Sequence, residues 1–282
     1  MEQGRGSRTA ELVAARRAAH QLIDRPLVFT DPLAMAILPP ETAARLKENP
    51  RHGNASSFAK YLRAALVVRS RFAEDELRHA VAAGVHQYVL LGAGFDTFAY
   101  RNPFSALRVF EVDHPATQAV KRARLEAAGI AVPEGTTYVP IDFATTDLAD
   151  ALAAAGFNTD EPAFFAWLGV VPYLEMDAIR KTLAFIASCP PGSAVVFDYG
   201  ASPASLSWVG RFVIRAMQKR LAAIGEPWKT FFTPAEVVAL LRGLGFKSAE
   251  DWDRVQLNER YFANRSDGLR MGEAAHIVKG VV

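Results

Sequence analysis

Residues 87–97, QYVLLGAGFDT, join a short apolar run to a turn that contains two glycines. The run is rich in strand-forming residues, and it ends where Gly92 and Gly94 allow the backbone to turn sharply. We therefore predict a buried β-strand that passes through a tight turn into a helix. On either side of this stretch, the sequence predicts further strands and helices.

Four more apolar runs follow, and each of them predicts a strand. They are LRVFEVD near residue 110, TTYVPID near 140, AFFAWLGV at 163–170 and SAVVFDYG at 193–200. Segments of helical length connect each strand to the next, as parallel strands require. Because the runs are continuously apolar rather than alternating, we expect a parallel sheet that is buried on both faces.

The C-terminal part of the chain predicts one more helix and two weaker strands. The helix is TPAEVVALLRGLGF, capped by Thr233 with Pro234 in its first position, and the strands are KSAEDW and AAHIVK. The predicted fold class is therefore α/β, a doubly wound and mostly parallel seven-stranded sheet of the Rossmann-like type.

The segment before the first strand contains helical patterns, including TDPLAMAIL at residues 30–38. Since no linker or repeat interrupts the series, we expect a single domain over residues 1–282. Within it we expect an N-terminal helical cap (1–84), a ligand-binding core (85–200), a lid (201–233) and a C-terminal part of the sheet (234–282).

The composition is that of an ordinary soluble protein, with 50% hydrophobic and 22% charged residues and a net charge of +2. The sequence contains no run of basic residues that would predict nucleic-acid binding. The single cysteine, Cys189, excludes an internal disulfide, and no Cys/His cluster predicts a metal site. The first residues lack the apolar run of a signal peptide, and the longest apolar stretches are too short to span a membrane. We expect a cytoplasmic protein with no membrane partner.

Acidic residues follow the second predicted strand, about twenty residues beyond the glycines. In doubly wound sheets, ligands bind outside the carboxyl ends of the strands. A carboxylate there, Asp113 or the nearby Glu111, can accept hydrogen bonds from both hydroxyls of a ribose. A plain tight turn and a helix N-cap at Asp113 are the alternatives. The combination with Gly92, Ala93 and Gly94 favours a nucleoside site.

The spacing of the glycines argues against a dinucleotide, since position 97 is threonine where GxGxxG has its third glycine. S-adenosylmethionine has no phosphates and would not need that glycine. The basic residues Arg17 and Arg69 are candidates for its carboxylate. After the third strand, Asp142 and Phe143 could bind the adenine amino group and pack against the ring.

In order and spacing, several segments resemble the leucine carboxyl methyltransferase-like family of S-adenosylmethionine-dependent methyltransferases. The resemblance covers nearly the whole chain and includes ARRAAHQLIDRPLVFTDPLA, RSRF, QYVLLGAGFDTFAYR, VFEVDHPATQAVKRARL and GEPWKTFFTPAEVVALLRGLGF. It implies the S-adenosyl-L-methionine cofactor and an O-methyltransferase activity, with carboxyl methylation favoured by the family name.

The resemblance also implies roles for individual residues. Arg17 matches a basic residue that reaches the cofactor, and Arg69 matches the arginine that pairs with its carboxylate. The glycine turn, Asp113 and the pair Asp142 and Phe143 match positions at the cofactor. After the fourth strand, many members of the family have a glutamate where this chain reads WLGV, so only backbone atoms near Leu168 are expected to contact the cofactor.

Residues near the same sheet edge are candidates for binding the methyl acceptor, which we expect to be a small molecule or a peptide. These are Tyr173, Tyr199, Trp228 and Arg101. His20, His114 and Asp198 are the nearest candidates for a general base, but His20 fits a structural role better and the catalytic residues stay unknown. A nicotinamide-dependent oxidoreductase and a non-catalytic nucleoside-binding protein are the alternatives. Nothing in the sequence specifies an oligomeric state.

Overall fold

The computed structural model describes residues 8–142, 146–223 and 225–282. The helices are α1 (Arg8–Ile23), α2 (Pro40–Glu48), α3 (Ser57–Ala82), α4 (Pro115–Ala127), α5 (Leu148–Ala154), α6 (Met176–Ala187), α7 (Trp208–Ala223), α8 (Pro234–Gly243) and α9 (Arg254–Tyr261). The strands are β1 (Gln87–Leu91), β2 (Arg108–Asp113), β3 (Thr136–Pro140), β4 (Ala163–Trp167), β5 (Ala194–Gly200), β6 (Ser248–Trp252) and β7 (Ala275–Val281).

The strands form one seven-stranded sheet in the order β3-β2-β1-β4-β5-β7-β6. Strands β1 to β5 run parallel to their neighbours, whereas β7 is antiparallel to both β5 and β6. After β1, the chain adds β2 and β3 on one side of β1, and it then crosses over to place β4 on the other side of β1. The order of the strands therefore reverses next to β1, where such sheets bind ligands. The predicted mostly parallel, doubly wound sheet is confirmed.

Helices cover both faces of the sheet, and side chains of one strand alternate between the two layers. In β1, Val89 and Leu91 belong to the apolar core that includes α5, α6 and α8. Tyr88 and Leu90 belong to the opposite core, which includes Phe72 of α3 and residues of α9. Helix α3, which was assigned to a cap, is therefore also part of the layer that covers the sheet.

Some predicted elements differ from those observed. Residues 32–37 form turns instead of a helix. Strand β1 leads into a single 3-10 turn, Phe98–Tyr100, instead of the predicted helix, within the sixteen residues that separate β1 from β2. Helices α2 and α9 were not predicted. In contrast, the predicted cap of α8 is present, with Thr233 and Glu236 forming a reciprocal capping box.

Buried ion pairs attach the N-terminal segment to the rest of the fold. Asp24 accepts hydrogen bonds from Arg63 Nε at 2.6 Å and Nη2 at 2.9 Å. His20 is completely buried, and its Nε2 accepts from the Val28 N–H at 3.1 Å, so its Nδ1–H donates to Asp24 at 2.8 Å. His20 therefore has a structural role, as predicted. No helix of the described residues has both the length and the apolar character to span a bilayer.

Candidate functional site

The turn after β1 is fixed by the end of β2. The N–H groups of Gly92 and Ala93 both donate to the carbonyl of Val112, at 2.8 and 3.0 Å. Gly92 and Gly94 have φ angles of +68° and +48°, which residues other than glycine rarely adopt. A Cβ atom on Gly92 would also collide with the side chain of Val170. Both glycines are therefore required by the backbone path at the carboxyl edge of the sheet.

Asp113, the last residue of β2, holds the other side of this turn. Its carboxylate accepts hydrogen bonds from the Gly94 N–H at 2.5 Å and from the His114 N–H at 2.6 Å. Burial raises the pKa of Asp113, and these two hydrogen bonds oppose the rise. A carboxylate offers roughly four acceptor positions, so capacity for two more donors remains. Asp113 is not the N-cap of α4, which was the alternative role predicted for it. His114 is the N-cap, and its side chain accepts a hydrogen bond from the Ala116 N–H.

A cavity of about 480 Å³ lies over this turn, within the usual size range of small-ligand sites. Its walls bring together most of the residues that were predicted to bind the cofactor: Arg17, Arg69, Gly92, Ala93, Gly94, Asp113, Asp142 and Leu168. Phe143, the remaining member of the predicted adenine pair, lies outside the described residues. His114 also lines this cavity.

Arg69 of α3 lies where this cavity meets a second one. Its Nη1 donates to Asp198 Oδ2 at 2.9 Å, and the other oxygen of Asp198 accepts from the Gly169 N–H at 2.5 Å. The φ angle of Gly169 is +73°, and a Cβ there would lie only 2.6 Å from the guanidinium group. A glycine at this position therefore leaves room for Arg69 against the loop that follows β4.

Arg17 lines the smaller cavity, but its guanidinium group already contacts three other residues. It donates to the Phe95 carbonyl and forms ion pairs with Asp31 at 2.8 Å and with Asp96 at 3.6 Å. Burial favours the neutral form of Asp96, but the charges of Arg17 and Arg101 lower its pKa. The paired charges link α1 to the glycine turn.

Two other predicted residues lie away from both cavities. Glu111 is fully buried, and both of its oxygens accept from Lys121 Nζ at 2.8 Å. Arg101 forms a two-point ion pair with Glu74, in which Nη1 lies 2.9 Å from Oε2. Neither residue lines the two cavities. Their side chains are therefore not available as cofactor or acceptor ligands in this arrangement.

The second cavity, of about 650 Å³, is mainly apolar. Tyr173 and Trp228, both predicted acceptor residues, line it and pack edge to face with ring centres 6.5 Å apart. Tyr199 also lines it, but its hydroxyl donates to Asp251 at 2.5 Å and its ring stacks on His276. Tyr199 therefore contributes ring surface rather than a free hydroxyl group.

The two cavities are adjacent. Residues from α1, α3 and the segments after β4 line both of them: Thr9, Val13, Arg69, Gly169 and Tyr173. The first cavity has the polar groups of the strand ends, and the second has the apolar side chains of the surrounding helices. A ligand in the smaller cavity and a ligand in the larger cavity could therefore contact each other near Arg69 and Tyr173, and we call this region the junction.

Much of the wall of the larger cavity consists of residues that the sequence did not predict. The missed residues come from several separate elements and include Leu12, Phe58, Tyr61, Val213, Met217, Asn258 and Met271. Most are apolar residues at helical spacing, which a sequence cannot distinguish from core positions. Trp228, which was predicted from the segment 201–233, does line this cavity.

The smaller cavity fits S-adenosylmethionine by the chemistry of its walls. Asp113 has acceptor capacity for ribose hydroxyls, and the backbone of the glycine turn allows close approach. Arg69 is a cation suited to a carboxylate, and Asp142 is an acceptor suited to the adenine amino group. Candidate partners for the ribose, the carboxylate and the adenine amino group are therefore present on the wall of one cavity.

Comparison with known proteins agrees with this arrangement. The family model of leucine carboxyl methyltransferase matches residues 10–187. A Bacillus subtilis protein named "Putative S-adenosyl-L-methionine-dependent methyltransferase YktD" is 32% identical, with 100% of this chain and 99% of that protein covered. A Frankia alni protein with the same description, FRAAL3718, is 33% identical, with coverage of 85% and 82%.

Solved structures show the same fold. A structure titled as a putative methyltransferase from Thermobifida fusca has a TM-score of 0.57 at 17% identity, covering 83% of this chain and 88% of that one. A family DUF574 protein from Streptomyces avermitilis has a TM-score of 0.53 at 17% identity, covering 95% and 96%.

These findings give no support to the oxidoreductase or the non-catalytic alternative, because the full-length relative is named as a methyltransferase. The family match covers more than half of the chain, and the cofactor follows from the relatives. The chain belongs to the leucine carboxyl methyltransferase family and is an S-adenosylmethionine-dependent methyltransferase.

Proposed function

We propose that this enzyme is an O-methyltransferase that transfers a methyl group to a carboxyl or hydroxyl oxygen of an apolar small molecule. The observation that carries the proposal is the contact between the two cavities at Arg69 and Tyr173. One cavity has the polar groups that a nucleoside needs, and the other is mainly apolar. At about 650 Å³, the second cavity suits a small molecule better than an extended peptide.

We assign the smaller cavity to the cofactor. In this assignment Asp113 accepts from the ribose hydroxyls, Asp142 accepts from the adenine amino group, and Arg69 pairs with the carboxylate. The glycine turn and the backbone at Leu168 contact the nucleoside directly. Arg17 acts on the cofactor through the turn, because its guanidinium group already binds the Phe95 carbonyl.

Bound S-adenosylmethionine supplies a methyl group on a positively charged sulfur, which is already an activated leaving group. The protein therefore mainly has to hold the acceptor oxygen in line with that methyl group, and to exclude water. Tyr173 and Trp228 form a rigid aromatic corner beside the junction. They would hold the apolar body of the acceptor while its oxygen reaches the junction.

Asp198 also lines the larger cavity next to the junction. A carboxyl acceptor is ionised at neutral pH and needs no base, whereas a hydroxyl acceptor often needs one. Asp198 is the carboxylate that we assign to this proton, and the hydrogen bonds from Arg69 and the Gly169 N–H set its orientation beside the junction. The segment 201–233, which carries Trp228, is the proposed lid over this acceptor.

Two measurements test the proposal. Calorimetric titration with S-adenosylhomocysteine should give micromolar binding, and NADH should give none. Transfer of a labelled methyl group to a panel of apolar carboxylic acids, phenols, amines and thiols then identifies the acceptor atom. Alkali releases methanol from a methyl ester but not from an ether. Labelled product only with amine or thiol acceptors would contradict O-methylation.

A further inference from the structure

Exposed apolar side chains are concentrated at the mouth of the larger cavity. The large apolar side chains that are exposed in the described part of the chain are Leu12, Leu22, Val132, Trp208, Val209, Phe212 and Val255. Three of them, Leu12, Val209 and Val255, line the larger cavity itself. Trp208 and Phe212 belong to α7, which forms part of the cavity wall. Three of the seven therefore line one cavity, and two more lie on a helix that forms part of its wall.

Helix α7 has two apolar faces. One lines the cavity through Val209, Val213 and Met217, which follow one another at intervals of one turn. The other carries Trp208 and Phe212, which are also one turn apart and are 76% and 72% exposed. A helix that needed only to close the cavity would not require the second face. Two large aromatic rings in water indicate a binding surface.

The charges of α7 all have one sign. Among the side chains that the structure describes on this helix, Arg211, Arg215 and Lys219 are basic and none is acidic. The cavity mouth adds further basic residues, Arg16, Arg254 and Arg270. The nearest acid at the start of the helix, Glu273, is bonded to the Ser207 hydroxyl and backbone N–H. The surface around the exposed rings is therefore predominantly basic.

In contrast to the expectation from the sequence that the protein has no membrane partner, we propose that α7 and the opening of the larger cavity dock on an anionic lipid bilayer. A helix with tryptophan and phenylalanine on one side and flanking arginine and lysine residues lies in the plane of a membrane interface. Its sixteen residues are too few to span the hydrocarbon layer, which needs about twenty. Docking in this orientation would place the cavity opening against the lipid.

The charges favour a bilayer over a second copy of the chain. A two-fold dimer through this face would set α7 against itself and bring its basic residues close together. An anionic surface attracts each of these charges, and cytoplasmic leaflets carry such lipids. The inference goes beyond the proposed methyl transfer and does not depend on it, although an apolar acceptor could then enter the cavity from the membrane.

Co-sedimentation of the full chain with vesicles tests the proposal. Vesicles of phosphatidylcholine mixed with phosphatidylglycerol should bind at least roughly tenfold more tightly than vesicles of phosphatidylcholine alone, and added salt should weaken the binding. The double variant Trp208→Glu, Phe212→Glu should lose this binding. Val132→Glu, which changes an exposed apolar residue away from the cavity, should keep it.

Failure to bind phosphatidylglycerol vesicles would overturn the proposal, as would equal binding by the double variant. A dimer of the wild-type chain that the double variant converts to a monomer, without vesicle binding, would assign the face to a second copy and also overturn it. Titration of the same variants with S-adenosylhomocysteine reports separately on the cofactor site. Unchanged cofactor binding would show that the fold is intact and leave the methyltransferase assignment unaffected.

Discussion

The walls of the two cavities are built in different ways. The smaller cavity is formed around strand ends, and its polar groups are held by short-range backbone hydrogen bonds such as those from Gly94 and His114 to Asp113. The larger cavity is enclosed by α1, α3, α7 and α9, and its walls are mostly apolar. The first arrangement fixes individual atoms, whereas the second fixes mainly a shape.

This difference indicates where each kind of specificity lies. A cofactor with fixed chemistry is recognised by atoms that hardly move, and single substitutions there should have large effects on binding. An acceptor is recognised by the packing of helices, so single substitutions should have smaller effects. The following variants test this difference between the two cavities.

The largest effect is expected from Asp24→Asn, which disrupts the anchor of the N-terminal segment that contributes to both cavities. Replacing the Asp24 carboxylate leaves the buried positive charge of Arg63 without its counter-charge, which lowers the free energy of unfolding by about 3–5 kcal/mol. Urea denaturation measures the loss. The control Glu175→Gln breaks an exposed pair with Lys229 and should cost less than about 1 kcal/mol. An equal decrease in the free energy of unfolding in the two variants would contradict a special contribution of Asp24 to stability.

The same anchor predicts a dependence of stability on pH. Burial raises the pKa of Asp24, but hydrogen bonds from Arg63 and His20 outweigh it and lower the pKa from its ordinary 3.8 to about 2. The unfolded chain therefore binds this proton more readily, and stability falls as the pH drops from about 4 towards 2. The wild-type chain should lose stability in this window more steeply than Asp24→Asn. Parallel acid curves would contradict the prediction.

At the smaller cavity, Asp113→Ala should weaken the binding of S-adenosylhomocysteine by about 100-fold. It removes charge-assisted hydrogen bonds to the ribose, each worth about 1.5–3 kcal/mol, and releases the Gly94 N–H. Calorimetry gives the affinity. Asp113→Asn should lose less, because its side-chain oxygen still accepts hydrogen bonds. An unchanged affinity of the alanine variant would remove Asp113 from the site.

At the junction, Gly169→Ala should weaken cofactor binding roughly tenfold, because the new Cβ would push against the guanidinium group of Arg69. Gly129→Ala is the matched control. Gly129 has a similar φ of +67°, but nothing lies within 4 Å of its Cβ position. Both variants therefore carry backbone strain, and only the first displaces Arg69. A similar cofactor affinity in the two variants would count against a role for Arg69.

The smallest effect is expected at the larger cavity. Trp228→Ala should raise KM for an apolar acceptor by about threefold, because one aromatic side chain of the cavity wall is lost. Trp228 lines only the larger cavity, so the affinity for S-adenosylhomocysteine should not change. Steady-state kinetics and calorimetry measure the two quantities. An unchanged KM would argue against the proposed acceptor site. A lower affinity for S-adenosylhomocysteine would argue against the separation of the two cavities.

The same contrast explains how much could be predicted from the sequence. Strands β1 to β5, the glycine turn and the position of Asp113 follow from local patterns, because a parallel sheet brings its strand ends to one edge. The cap at Thr233 is equally local. The position of Glu111 and Arg101 outside the cavities could not be predicted, because their ion pairs with Lys121 and Glu74 depend on packing that no motif encodes. The walls contributed by α1 and α9 depend on similar long-range packing.

The most direct test of the central claim, one cavity for each ligand, is a crystal structure of the enzyme with S-adenosylhomocysteine. We predict that the ribose lies over Gly92 and Gly94 with its hydroxyls on Asp113, and that the sulfur faces the junction at Arg69 and Tyr173. The larger cavity should stay accessible to an acceptor. The nucleoside bound instead among Tyr61, Met217 and Met271, or a ligand filling both cavities, would contradict the account.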